Sequence, residues 1–107
     1  MDSKEVLKEY FGYDSFRAGQ EDIINAILEK KDVLAIMPTG AGKSLCYQVP
    51  AMMLSGITVV ISPLISLMQD QVKSLNDVGI NAAYVNSTLS ESEIDGTLNM
   101  VLNGIYK

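Results

Sequence analysis

The chain has 107 residues, 48% of them hydrophobic and 20% charged, with a formal net charge of -5. That length suits one small structural unit, and the mixture is ordinary for a globular protein. Histidine is absent and cysteine occurs once, which argues against a zinc site, a Ser-His-Asp hydrolase and an internal disulfide.

The acidic balance also argues against broad nucleic-acid affinity, which comes mostly from Lys and Arg. A few aimed backbone amides and hydroxyls, with more basic surface elsewhere in a longer protein, could still hold nucleic acid. The opening MDSKEVLKEY is polar and lacks the apolar stretch of a secretory signal. The longest apolar runs, VPAMML and ITVVI, are too short to span a bilayer. A cytoplasmic or nuclear location with no membrane partner is therefore expected.

In chain order, Val6, Leu7, Tyr10 and Phe11 recur at helical spacing and predict a helix over 3–11, stopped by Gly12. Residues 17–30 set Ile23, Ile24, Ala26, Ile27 and Leu28 against Glu21, Asp22, Glu29 and Lys30, which predicts a second amphipathic helix. Residues 32–37, DVLAIM, form a nearly continuous apolar run of the kind that makes a strand buried on both faces. After the small residues PTGAG, a helical pattern resumes over 43–54. The β-branched run ITVVIS at 57–62 predicts a strand, ended by Pro63. Leu67, Met68, Val72, Leu75 and Val78 place a helix over 64–78. Residues 82–85 predict a third strand, and Ser90 caps a last helix running to about Asn103. Strands alternating with helices predict an α/β class with a parallel sheet and right-handed crossovers.

The chemistry sits in the loop from Pro38 through Thr39, Gly40, Ala41, Gly42, Lys43 and Ser44. It joins a predicted buried strand to a predicted helix, the context in which a glycine-rich loop binds phosphate. Gly40 and Gly42 allow backbone conformations that turn several N–H groups inward. Those amides and the positive end of the following helix would bind phosphate oxygens. Lys43 would reach the β- and γ-phosphates, and the Ser44 hydroxyl would ligate Mg²⁺. ATP with Mg²⁺ is the expected cofactor. The general pattern places a glycine six positions before the lysine, where Met37 stands here. Cys46, on the helix after the loop, is expected to be a small buried residue. These residues alone leave open a nucleotide-binding module or another P-loop ATPase or kinase without helicase activity.

Three blocks together resemble one family. FGYDSFRAGQ at 11–20, MPTGAGKSLCYQ at 37–48 and SPLISLMQDQ at 62–71 are similar, in order and spacing, to successive motifs of RecQ-type DNA helicases. The resemblance runs from about residue 5 to about residue 90. It implies an ATP-dependent 3′-to-5′ DNA helicase with a P-loop, RecA-like, three-layer fold. It implies that Tyr13 stacks on adenine, Arg17 packs near the base and Gln20 reads the adenine edge with its amide. Ser62, Ser66 and Gln69 would donate to the backbone of single-stranded or forked DNA, and Asn86, Ser87 and Thr88 would lie at the same edge. The family also carries an Asp-Glu-Ala-His block and a second motor domain. No Asp-Glu dipeptide occurs here, so residues 1–107 read as the N-terminal portion of a first motor domain. Its strands would then lack later partners, and apolar surface left open would favour self-association.

Overall fold

The computed structural model of the protein describes residues 1–38 and 42–107. Among the described residues five helices run in order: α1 (Ser3–Phe11), α2 (Gln20–Leu28), α3 (Leu45–Met53), α4 (Ile65–Asp77) and α5 (Glu91–Leu102). The chain divides into two compact units, Met1–Ser55 and Gly56–Lys107.

In the first unit, the Asp2 side chain caps α1 by accepting from the Glu5 N–H at 2.8 Å, and Gly12 closes the helix at φ 76. The second helix starts at Gln20 rather than 17, because Gly19 takes φ 85 and breaks the helical path just before it. It ends over Lys30, which holds a left-handed backbone at φ 63. There the Lys30 N–H donates to Ile27 O at 2.9 Å and the Lys31 N–H to Ala26 O at 3.0 Å. Buried Pro50 stands inside α3 and has no N–H to offer the preceding turn.

The core of this unit is small. Val6 and Leu7 of α1, Ile24 of α2 and Val49 of α3 are buried together, with Tyr10, Phe11, Phe16, Leu28, Leu45, Met52 and Met53 packed around them. Each fully buried aliphatic side chain contributes about 1.5–3 kcal/mol, and together they fix α1 and α2 against α3.

The second unit has much less interior. Neither α4 nor α5 buries a residue, and among its described residues Ile80 is the buried hydrophobic one. Polar links take over. Asn76 clamps the backbone at Ala82, donating to its carbonyl at 3.2 Å and accepting from its N–H at 3.0 Å. The Thr58 N–H donates to Lys107 O and the Lys107 N–H to Asn81 O, each at 2.9 Å. Ser90 and Glu93 complete a capping box on α5.

The predicted parallel sheet, and with it the RecA-like three-layer α/β architecture, is not present: no strand forms among the described residues. Residues 32–37, 57–62 and 82–85 carry no regular structure. The reading of a doubly buried strand at 32–37 fails most clearly at Leu34 and Ile36, each 90% exposed, and in the run read as a strand at 57–62 Val59 and Ile61 are exposed 77% and 94%. The physical reason lies in where the hydrogen bonds go. A helix satisfies its backbone locally, so the five helical patterns hold. A strand needs a neighbour across a ladder, and the isolated bonds at Thr58, Asn81 and Lys107 are too few to make one.

Candidate functional site

Lys43 and Ser44 form the turn that opens α3. Ser44 stands at the helix start with helical backbone angles, φ -63 and ψ -32, and makes no side-chain cap to its own helix. Its carbonyl accepts from the N–H groups of Tyr47 at 3.3 Å and Gln48 at 3.0 Å. The hydroxyl is therefore not committed to capping. The Lys43 side chain is exposed. Gly42 takes φ 76, a left-handed conformation that costs a residue with a Cβ about 1 kcal/mol or more. The turn thus offers a cation, a hydroxyl and the N-terminal end of a helix, a combination suited to an anion. Thr39, Gly40 and Ala41 lie outside the described residues.

Gln20, the first residue of α2, meets this turn from behind. Its Oε1 accepts from the Arg17 N–H at 2.7 Å, and its Nε2 donates to the Gly42 carbonyl at 3.0 Å. The side chain is 1% exposed. A Cβ built on Gly42 would fall on Gln20 Nε2, closer than any real side chain approaches. The glycine at 42 is required twice over, by its backbone angle and by this neighbour.

A cavity of about 620 Å³ lies beside these residues. Arg17, Ala18, Gly19 and Ile23 line one part of it, and residues 34–38 line another. That volume is within the range of small-molecule sites. The structure thus brings Arg17 and Pro38 to a common cavity and Gln20 to Gly42. Tyr13 is 51% exposed and is not part of the cavity lining.

Cys46 is the second residue of α3, 7% exposed. Its thiol points at Met37 Sδ, 3.8 Å away, and at the Gly42 carbonyl, 3.9 Å away. Burial pushes the thiol pKa up, which favours an inert packing role over a reactive one. The sequence reading foresaw this burial. It missed the Gln20–Gly42 contact, whose signal was weak: a glutamine at a helix start and a glycine in a loop.

The residues proposed for DNA lie in the second unit. The Ser62 Oγ accepts from the Leu64 N–H at 3.3 Å, bracing the entry to α4. Ser66 is exposed in the first turn of α4, and Gln69 is half-buried one turn later. No side chain caps α4. Asn86 accepts from the backbone N–H of Thr88 at 2.9 Å and also from its hydroxyl, so this triplet forms a self-contained turn. Among the described residues, no helix is long and apolar enough to cross a membrane.

Comparison with known proteins places this geometry in context. A family profile described as DEAD/DEAH box helicase matches residues 17–104. The chain is 54% identical over 106 residues to the ATP-dependent DNA helicase RecQ of Bacillus subtilis (strain 168), covering 98% of this chain and 18% of the relative. It is 52% identical over 102 residues to the ATP-dependent DNA helicase RecQ of Haemophilus influenzae, covering 95% of this chain and 16% of the relative. It is 47% identical over 91 residues to the ATP-dependent DNA helicase Q1 of Rattus norvegicus, covering 85% and 15%. The chain spans less than a fifth of the length of these relatives.

Proposed function

Because the chain belongs to the DEAD/DEAH box helicase family, we propose that it is the nucleotide-binding part of an ATP-dependent DNA helicase of the RecQ type. The observation that carries this reading is the Gly42, Lys43 and Ser44 turn at the head of α3, joined through Gln20 to Arg17, which lines an open cavity with Pro38.

The residues present fit a nucleoside triphosphate with its metal. The glycine conformation at 42, the exposed ammonium at 43 and the uncommitted hydroxyl at 44 are the donor set such a group needs. Lys43 would hold the terminal phosphates as a point charge. Ser44 would hold Mg²⁺ through its hydroxyl. Pro38, Thr39, Gly40, Ala41 and Gly42 would form the wall of the phosphate pocket. Arg17 would stack its guanidinium plane on the base, and Tyr13 would contribute an aromatic face to it. ATP hydrolysis supplies the energy that a motor converts into movement along a strand. Ser62, Ser66 and Gln69 would donate to the DNA backbone, whose contacts position rather than specify. Residues 1–107 would form the first portion of the first motor domain.

The test is hydrolysis of Mg-ATP by a protein carrying this segment, with and without single-stranded DNA. Stimulation by DNA is expected. Saturable ATP binding with DNA-independent turnover would point instead to another P-loop enzyme.

A further inference from the structure

Residues 57–62, ITVVIS, lie in the longest stretch of the chain without charge: no charged residue stands between Lys43 and Asp70. Four of the six are β-branched hydrophobics, all of them exposed, and Ile61 is the most exposed large hydrophobic among the described residues. Ile57, Val59, Val60 and Ile61 make no backbone–backbone hydrogen bond among the described residues. A run with these properties is open to strand pairing with another chain. Its two edges are not equivalent. In an extended segment the backbone groups of alternate residues face opposite edges. The edge of Gly56 and Thr58 is taken by Lys107, whose Nζ donates to Gly56 O at 2.8 Å and whose backbone oxygen accepts from the Thr58 N–H at 2.9 Å. The edge of Ile57, Val59 and Ile61 is left for a partner.

We propose that this edge pairs with the same edge of a second copy of the chain, antiparallel about a two-fold axis at Val59. That arrangement sets Val59 opposite Val59 and Ile57 opposite Ile61, β-branched side chains in cross-strand register. Charge selects the second copy as the occupant. The chain carries a net charge of -5, so copies repel over most of their surface, but along residues 57–62 they meet with no like charges opposed. The same lack of charge gives a charged partner nothing to complement. Because Lys107 closes the other edge, the pairing is isologous and stops at two copies.

The experiment is sedimentation of the whole chain over a range of concentrations, beside Val59→Lys and Val59→Thr, with helix content read by circular dichroism. The unsubstituted chain is expected to pass reversibly from one copy to two as concentration rises. Lysine at 59 opposes two like charges at the two-fold axis, and dimer affinity is expected to fall about tenfold or more. Threonine, β-branched and uncharged, keeps the dimer. A chain that stays single at every concentration overturns the proposal and leaves this edge to another partner or to none. A dimer of equal strength in Val59→Lys places the interface elsewhere and overturns it as well, and growth past two copies overturns the closed pair. Should Val59→Lys lose its helices, amide exchange in the unsubstituted chain decides. The Ile57, Val59 and Ile61 amides must gain protection with concentration while that of Val60 does not, and unprotected amides at 57, 59 and 61 overturn the pairing.

Discussion

Gln20 Nε2 lies 3.0 Å from the carbonyl oxygen of Gly42, tying the first residue of α2 to the turn that opens α3. This contact links the unit's packing to its chemistry, because the same helix supplies Ile24 to the core. Loosening one end disturbs the other.

Gly42→Ala is the direct probe of that relationship. The new Cβ meets Gln20 Nε2 and takes a backbone conformation unfavourable to alanine. A loss of about 1–3 kcal/mol is expected, read as a lower urea midpoint with an unchanged slope. A variant as stable as the parent would mean that the contact is not held in solution.

Lys30→Gly should act in the opposite direction. Lys30 ends α2 at φ 63, where a glycine carries no Cβ penalty. The substitution should raise stability by roughly 0.5–1 kcal/mol, visible in the same denaturation experiment. Lys30→Val, β-branched at a left-handed position, should lower it.

The capping box predicts a pH dependence local to α5. The Ser90 backbone N–H donates to the Glu93 carboxylate at 3.0 Å, and this bond, with help from the Ser90 hydroxyl, holds the Glu93 pKa below its ordinary value of 4.5. A depressed carboxylate pKa gives stability that is full above the ordinary value and is lost as pH falls through the lowered one. The protection of the α5 amides, taken relative to their intrinsic exchange rate at each pH, should therefore fall over that acidic window. Glu93→Gln should abolish the pH step while keeping a box acceptor, and Ser90→Ala should cost about 1 kcal/mol at neutral pH.

All five helices were legible because each pattern closes on itself. Val6 and Leu7 with Tyr10 and Phe11 define one face of α1, and Ser90 with Glu93 spells its own cap. The strands were not legible in the same sense. The runs at 32–37 and 57–62 state a preference for burial, but a strand exists only with a partner, and a run of apolar residues does not name one. Hence Leu34 and Ile61 stand exposed where a sheet was expected. At the candidate site, Lys43 and Ser44 could be read from the loop pattern and Arg17 from the resemblance. That Gln20 turns inward to Gly42 was hidden, because a glutamine at a helix start reads as solvated or ligand-facing.

Calorimetric titration of Mg-ATP into the unsubstituted chain and into Lys43→Ala tests the phosphate-binding role of this turn most directly. Saturable binding by the chain, weakened at least tenfold in Lys43→Ala with an unchanged melting temperature, is the predicted result. Equal binding by the two proteins, or none by either, would contradict it.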